Sequence, residues 1–471
     1  MIIPAKINFN HKLQKWDGFG VNYVEVAQTP DYREWPQEYG GFSTLCEEKR
    51  REILDMIFGE GGLKPCVFKM FIDCFQQDEE HLNEQGSDKL DLDNYDHETT
   101  TKWMRYFLRE GLRITRERGG DLKGVATLYG PPAFMTKIKK VRGRDMDPAY
   151  KTECAKYIVA FAKYMREREG LPVKYLSIHN EGEDFYRWPE DGSDPNIGSG
   201  HDYNLYWSAE AVAEFLPLLK RIADANCEGL GVTPGECTGW TRFSHWGHAT
   251  EIAEDPEALK ALDLITSHGF YGEGINKRWS ESHTDAGIAM IRRQRPELHA
   301  WVTSTSWRKM DATFILEMHH NIYEAGVNAI IPWAAIQTVG GWVGGDPNPG
   351  CAVSVDGNGG YTVQKGYYYY KQLSRIGQSG MHVAATSCAL TAGAIIAFSG
   401  EGTEHPDAFV TVNSDSEDRQ FEIKMVGGAK AYRVTRTSPD ERYVDLGIAE
   451  VIDGRLRVDC PADSVTTFVA M

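Results

Sequence analysis

Eight short apolar runs recur between residues 18 and 333, and stretches with helical spacing separate them. This alternation is typical of βα units, which assemble into a parallel sheet. The helical pattern is clearest in Lys151–Arg168, Tyr203–Ala225 and Ala312–Ala325. The predicted strands are Gly18–Val24, Cys66–Asp73, Gly124–Leu128, Val173–His179, Gly229–Thr233, Leu262–His268, Ala300–Ser304 and Ala329–Trp333. Eight such units predict an α/β fold that closes as a (β/α)8 TIM barrel.

The pattern changes after Gly380. Residues 383–471 consist of short alternating strands with turn signals, which predict a small antiparallel β-sandwich. The first 15 residues also have a strand pattern, and we expect them to pair with this C-terminal sheet. A chain of 471 residues has room for a barrel and a smaller appendage. We therefore expect a barrel domain over 16–380 and a β-sandwich domain formed by 1–15 together with 381–471.

The charge balance restricts the class of partner. The formal net charge is −17, from 51 basic and 68 acidic residues, which disfavours nucleic acid and anionic membranes. The sequence has neither a run of 18 apolar residues nor a signal-peptide pattern, so we expect no membrane span. The expected location is the cytoplasm, or outside the cell if a leader has been removed. The oligomeric state is left open.

Nine cysteines are scattered along the chain. They form no CxxC pair and no Cys/His cluster with the spacing of a zinc motif. We therefore expect reduced, mostly buried thiols and no structural metal.

The fourth predicted strand ends abruptly in Asn180-Glu181, followed by Gly182. In an α/β barrel the catalytic groups lie at the carboxyl ends of the strands, where the loops open onto the active site. A glutamate in this position is a candidate general acid, and the asparagine before it can hydrogen-bond a sugar hydroxyl. On the dipeptide alone, a glutamate that caps a loop is an equally good interpretation.

Polar and aromatic residues also follow the other predicted strands, which is the pattern of a pocket. Asp73 and Glu236 are interpreted either as ligands of substrate hydroxyls or as members of loop ion pairs. His268 either contacts the substrate or is a hydrogen-bonded core histidine. Trp333, at the end of strand eight, is favoured as a platform for a sugar ring over barrel packing.

Five segments carry a resemblance to a known family, in the order in which that family has them. They are Asp17-Gly-Phe-Gly20, Gly130-Pro-Pro-Ala-Phe-Met135, Asn180-Glu181, Trp301-Val-Thr-Ser304 and Gly366–Ile376. The chain resembles the retaining β-glycosidases of glycoside hydrolase clan A, and within that clan family 30. The resemblance extends over nearly the whole chain. Its motifs are short, but their order and spacing together are fairly specific.

The resemblance implies two-step, double-displacement hydrolysis of a β-linked glycoside or oligosaccharide. Glu181 matches the acid/base, and Asn180 matches the asparagine that contacts the sugar 2-hydroxyl. No metal or organic cofactor is implied. Two residues depart from the family: Lys69 takes the place of the usual arginine, and the tyrosine of the strand-six motif is displaced to Tyr271.

The third departure bears directly on activity, because Ser304 occupies the position of the nucleophilic glutamate. Retaining hydrolysis needs a second carboxyl group there, and a neutral serine cannot replace it. An engineered Glu→Ser variant, made to trap substrate or to act as a glycosynthase, is the favoured explanation. The alternatives are a natural pseudo-enzyme that only binds glycans, and a hydrolase in which Glu236 supplies the second carboxylate. We expect the present sequence to hydrolyse little.

Overall fold

The structure is a computed structural model, and it describes residues 2–26, 38–141, 143–186, 190, 205–270, 283–338 and 350–471. Tyr271, one of the predicted substrate-binding residues, lies outside these ranges. No helix in the described part of the chain is both long enough and apolar enough to cross a lipid bilayer.

Strands and helices alternate through the first two thirds of the chain. They are β1 (Ile2–Lys15), β2 (Gly18–Asn22), α1 (Glu47–Phe58), β3 (Val67–Ile72), α2 (Lys102–Glu117), β4 (Lys123–Leu128), α3 (Lys151–Glu167), β5 (Val173–Ser177), α4 (Ala209–Asn226), β6 (Gly231–Thr233), α5 (Trp240–His245), α6 (His248–Glu254), α7 (Pro256–Ala261), β7 (Ile265–Ser267), α8 (Ala286–Arg292), β8 (Ala300–Thr305), α9 (Ala312–Tyr323) and β9 (Ala329–Pro332).

Strands predominate in the remainder of the chain. They are β10 (Ile336–Thr338), β11 (Val353–Val355), β12 (Tyr361–Val363), then helix α10 (Lys365–Ser374), and β13 (His382–Cys388), β14 (Gly393–Ser399), β15 (Ala408–Asn413), β16 (Arg419–Val426), β17 (Ala431–Ser438), β18 (Glu441–Glu450), β19 (Arg455–Cys460) and β20 (Ser464–Ala470).

Strands β2 to β9 form the predicted barrel. They pair in parallel in the cyclic order β6-β5-β4-β3-β2-β9-β8-β7. The barrel closes between β6 and β7. There the Asp263 amide donates to the Val232 carbonyl at 2.9 Å, and the backbones of Cys237 and Ser267 form an isolated parallel β-bridge. The TIM-barrel prediction is therefore confirmed, and each predicted strand overlaps an observed one.

Burial on both faces explains why the barrel strands could be recognised in the sequence. Every residue of β3 and of β8 is buried, because the interior of the barrel covers one face and the surrounding helices cover the other. Such strands read as short continuous apolar runs rather than as alternating ones. The helices show a one-sided pattern instead, as in α2, where Met104, Phe107, Leu108 and Leu112 are the buried apolar residues.

A polar group anchors the amino-terminal end of the barrel. The Asp17 carboxylate accepts hydrogen bonds from the Trp301 indole at 2.8 Å and from Lys123 at 2.7 Å, and its other contact is His299 at 2.6 Å. Burial raises the pKa of Asp17, but His299 and Lys123 outweigh burial, so that its pKa lies below the ordinary value. Trp301 itself is fully buried inside the barrel.

The C-terminal strands form a nine-stranded sheet in which β1 is a central member. β1 pairs antiparallel with β13 and parallel with β16, which confirms the expectation that the first 15 residues join this sheet. The parallel pair departs from the purely antiparallel prediction, because β1 comes from the far end of the chain and not from a hairpin.

The nine-stranded sheet folds back over itself. β19 ends the strand order, yet the backbone carbonyl of Cys460 in β19 accepts a hydrogen bond from Asn413 of β15 at 2.9 Å. The two layers enclose an apolar core in which Phe409 and Phe468 stack at 4.5 Å. This arrangement is the sandwich that the sequence predicts.

Several strands of the structure were not predicted from the sequence. Strand β18 was missed although Val444, Leu446 and Ile448 alternate with Asp445 and Gly447, and these three apolar side chains are exposed. Strand β13 is only partly buried, and the strands β10 to β12 are three residues long each. Neither kind of strand stands out from a loop by composition.

Candidate active site

A network of buried polar side chains lies at the carboxyl ends of β3 to β7. Lys69 belongs to β3 and Thr127 to β4, whereas Glu236 and His268 follow β6 and β7. Asn180 and Glu181 follow β5. The sequence predictions placed all these residues except Thr127 at strand ends or in the family motifs, and the structure brings them together.

Glu181 is held in place by its backbone. Its amide donates to the Glu236 carbonyl at 2.8 Å, and the Glu236 amide donates to the His179 carbonyl at 2.9 Å. The loops after β5 and β6 therefore stay paired beyond the ends of the strands. Glu181 has φ of 56°, in the left-handed region that residues other than glycine seldom adopt. Strained backbone of this kind concentrates at functional sites, where the surrounding structure enforces it.

Glu236 is the fixed anion of the network. Its side chain is fully buried, and it accepts hydrogen bonds from Thr127 at 2.6 Å, from Lys69, and from Nε2 of His268 at 3.0 Å. Burial alone would raise the pKa of this carboxyl group. The charge of Lys69 and the contact with His268 outweigh burial and hold the pKa at about 2.

His268 bridges the two glutamates. Its Nδ1 lies 2.7 Å from Oε1 of Glu181, and its Nε2 lies 3.0 Å from Oε2 of Glu236. Burial lowers the pKa of His268, but the hydrogen bonds to the two carboxyl groups prevail and leave it raised. An imidazolium with both N–H groups donating satisfies this arrangement. Sequence reasoning had left open whether His268 contacts substrate or is a hydrogen-bonded core residue, and these contacts give it protein partners on both sides.

Asn180 is tied to the same network through Lys69. The ammonium group of Lys69 donates to Oδ1 of Asn180 at 3.2 Å as well as to Glu236. The lysine at the family's arginine position thus orients both the asparagine and the buried glutamate.

Ser304 lies on β8, within an irregular stretch of the strand. The pairing of β8 with β9 shifts register between Val302 and Thr305. The Thr305 hydroxyl donates to Glu317 of α9 at 3.2 Å, so Thr305 points outward toward the helices. Ser304 is buried beside it, next to the carboxyl end of the strand.

Asp73 forms a separate group. Its carboxylate accepts hydrogen bonds from Thr100 and Gln76, both at 2.6 Å, and from the Phe75 amide at 2.8 Å. Burial raises its pKa, and these neutral donors counteract that rise only in part. Asp73 therefore organises the loop after β3 through neutral partners, and the described contacts contain no ion pair for it.

Trp333 lies just beyond β9, where its ring packs against Phe71 at 5.8 Å and Tyr39 at 5.9 Å. The Trp307 indole donates to the Trp333 carbonyl at 2.6 Å. The residue is 6% exposed, so its ring contacts the barrel wall over most of its surface.

Thr127 was missed by sequence reasoning. It lies within the apolar run of β4, and its one signal is a hydroxyl group at the second-last position of a strand that is otherwise buried and apolar. A buried hydroxyl needs a partner. Glu236 provides that partner, but nothing in the local sequence identifies it.

No protein-family model and no curated protein sequence matches this chain. Solved structures do match over almost the full length. The catalytic domain of family 30 xylanase C from Talaromyces cellulolyticus superposes with a TM-score of 0.72 at 16% identity, covering 99% of this chain and 100% of that one.

Two further structures support the same assignment. A family 30 subfamily 8 xylanase from Clostridium acetobutylicum gives a TM-score of 0.69 at 18% identity, with 99% of both chains covered. An endo-β1,6-glucanase gives a TM-score of 0.68 at 16% identity, covering 99% of this chain and 94% of that one. The class is thus a TIM barrel with an appended β-sandwich. Within that class, the chain has the fold of the glycoside hydrolase family 30 structures, which confirms the resemblance at the level of fold.

Proposed function

We propose that this chain is built as a retaining β-glycoside hydrolase and that Ser304 limits its hydrolysis. The observation that carries the proposal is the pair Asn180-Glu181 at the carboxyl end of β5. The Glu181 side chain retains 10% exposure, whereas the Glu236 side chain has none. Of these two glutamates, Glu181 is the one whose carboxyl group can meet a glycosidic oxygen.

The proposed mechanism is a double displacement. Glu181 donates a proton to the leaving oxygen while a carboxylate at position 304 attacks the anomeric carbon. Glu181 then removes a proton from the incoming water, which releases the sugar from position 304. With serine at position 304 the first step lacks its nucleophile, so cleavage stalls while glycan binding persists.

The buried geometry of Glu236 argues against the alternative in which it attacks the sugar. Three donors surround its carboxylate, namely Thr127, Lys69 and His268. An anion stabilised to this degree is a weak nucleophile, and its side chain is fully buried. We assign Glu236 a positioning role: it holds His268, and His268 holds Glu181.

The substrate class is a β-linked polysaccharide or oligosaccharide. Xylanases and a β1,6-glucanase share this fold, so the fold admits different sugars and linkages. Asn180 is assigned to the sugar 2-hydroxyl, and Trp333 to stacking against a sugar ring. The remaining proposed binding residues are Asp73, His268, Glu236 and Tyr271. Of these, Glu236 and His268 act through Glu181. A glycan-library screen on the Ser304→Glu variant identifies the sugar.

The test is restoration of activity by Ser304→Glu. We expect this variant to hydrolyse an activated aryl β-glycoside, and Ser304→Ala to remain as inactive as the parent chain. Adding Glu181→Gln to Ser304→Glu should remove the activity toward substrates with poor leaving groups. A folded Ser304→Glu variant that binds glycans and stays inert would favour the non-catalytic glycan-binding protein. An inert Ser304→Glu variant, together with loss of parental activity in Glu236→Gln, would overturn the assignment of roles to positions 304 and 236.

A further inference from the structure

Three metal-binding side chains meet behind the glutamate network. They are His179, Cys237 and His248, and their ligand atoms all lie within 4.8 Å of one another. All three residues are buried. His179 directly precedes Asn180, Cys237 directly follows Glu236, and His248 is the first residue of α6. The cluster therefore joins both glutamate-bearing loops to a helix outside the barrel.

Three of the four ring nitrogens in this cluster have no hydrogen-bond partner among the described residues. Among the residues that the structure describes, none hydrogen-bonds to Nε2 of His179 or to either ring nitrogen of His248. The backbone of Trp207 lies near His248 and affects its pKa, but it does not make a hydrogen bond of good geometry. Buried polar atoms are almost always satisfied, so three such nitrogens at one place call for a ligand.

Glu183 lies near this cluster but is held by other partners. Its Oε1 accepts hydrogen bonds from the Thr238 amide at 2.8 Å and from Arg242 at 3.3 Å, and the latter contact is an ion pair. Glu183 is therefore not counted among the ligand residues.

We propose that His179, Cys237 and His248 bind one Zn²⁺ ion. Two imidazoles and a thiolate are ligands that suit zinc. Zinc bonds of about 2.0–2.3 Å require the three ligand atoms, which lie within 4.8 Å of one another, to move closer together around the ion.

Zinc binding changes the protonation of Cys237 and of His179. The Cys237 thiol loses its proton to solvent when it binds zinc as a thiolate. Nδ1 of His179 accepts a hydrogen bond from the Gly182 amide at 3.1 Å, so the neutral ring carries its proton on Nε2. Zinc at Nε2 moves that proton to Nδ1 and replaces the Gly182 contact. Zinc binding thereby alters the backbone next to Glu181.

The scattered sequence positions explain why no metal motif was expected. The ligands come from the ends of β5 and β6 and from α6, and only closure of the barrel brings them together. The ion would fasten the loops that carry Glu181 and Glu236. This proposal concerns the stability of those loops and stands independently of the proposed hydrolysis.

The test uses the full chain, purified without chelator and kept reduced. Elemental analysis should find one zinc per chain, and removal of zinc by a chelator should lower Tm. Cobalt(II) added to the stripped protein should give a thiolate-to-cobalt charge-transfer band. That band should disappear in Cys237→Ser, and zinc should be lost in His248→Ala.

Matched controls come from buried residues outside the cluster. Cys154→Ser and His97→Asn should keep one zinc per chain, since Cys154 is equally buried and His97 also has an unpartnered Nε2 among the described residues. If the cluster variants fail to fold, titration of the unmodified protein decides. A folded, reduced chain that binds neither zinc nor cobalt overturns the proposal. So does a Cys237→Ser/His248→Ala double variant that retains zinc.

Discussion

His268 fixes the carboxyl group of Glu181, with Nδ1 of the imidazole 2.7 Å from Oε1 of the glutamate. The other ring nitrogen of His268 is anchored on Glu236, which Lys69 and Thr127 hold in turn. The proposed acid/base Glu181 is thus positioned by His268, which is itself held by the buried Lys69–Glu236 ion pair.

Replacing His268 should impair the chemistry more than the binding of substrate. In the Ser304→Glu background, His268→Ala removes the contact between the imidazole and the Glu181 carboxyl group. We expect kcat to fall by roughly 10²-fold, the scale of general acid–base catalysis, with little change in KM. Steady-state kinetics and the pH profile of kcat measure this. If the fall in kcat is fully accounted for by a fall in Tm and in the amount of folded enzyme, His268 has a purely structural role.

The Lys69–Glu236 pair should contribute strongly to stability when only one partner is removed. Lys69→Met removes the ammonium group from the fully buried Glu236 carboxylate and leaves it only the contacts with His268 and Thr127, so we expect the free energy of unfolding to fall by about 3–5 kcal/mol. The double variant Lys69→Met/Glu236→Gln should recover part of that loss, because no buried charge remains unpaired.

Denaturant unfolding measures the effect, and Lys220 offers a matched control. Lys220 pairs with Asp224 on the exposed surface of α4, so Lys220→Met should cost only about 0.2–1 kcal/mol. Similar losses in the two single lysine variants would contradict the buried network.

The contacts of Asp17 at the amino-terminal end of the barrel predict that the stability of the fold depends on pH. The pKa of Asp17 is lowered in the folded state from 3.8, so this carboxylate stabilises the fold above pH 3.8. That stabilisation is lost as the pH falls below 3.8 and through the lower folded value. Asp17→Asn should therefore be less stable than the parent at neutral pH. The difference should shrink in urea unfolding measured at progressively lower pH, and a constant difference would rule out this account.

The parent chain should act as a glycosynthase although it hydrolyses little. An α-glycosyl fluoride matches the configuration of the intermediate that would form at position 304, and Glu181 can remove the proton of an acceptor hydroxyl. We expect coupling products by mass spectrometry with the parent chain and none with Glu181→Gln. Equal yields from the two proteins would exclude Glu181 as the base.

The barrel was predictable because its strands are buried on both faces. Runs such as Cys66–Asp73 and Ala300–Ser304 are mostly apolar in the sequence, and the bounds of β3 and β8 lie within one residue of them. Strand β18 was missed although Val444, Leu446 and Ile448 alternate along it, and these apolar side chains are exposed in the structure. The domain boundaries at residues 15/16 and 380/381 stay predictions.

The site was predictable only in part, for a physical reason. Glu181, His268 and Glu236 follow predicted strands, so their common location follows from the parallel sheet. Their individual partners do not, because the packing of the closed barrel decides that Thr127 meets Glu236 and that His179 approaches Cys237. The roles of Asn180, Trp333, Asp73 and Tyr271 toward a sugar stay predictions.

Covalent labelling of Ser304→Glu tests the central claim most directly. A 2-deoxy-2-fluoro β-glycoside with an activated leaving group slows the second step of a retaining enzyme, so the sugar remains on the nucleophile. Peptide mass spectrometry should locate one sugar at position 304 and none in the parent chain. A label on Glu236, or a folded variant that is never labelled by any sugar in a panel it binds, would contradict the account.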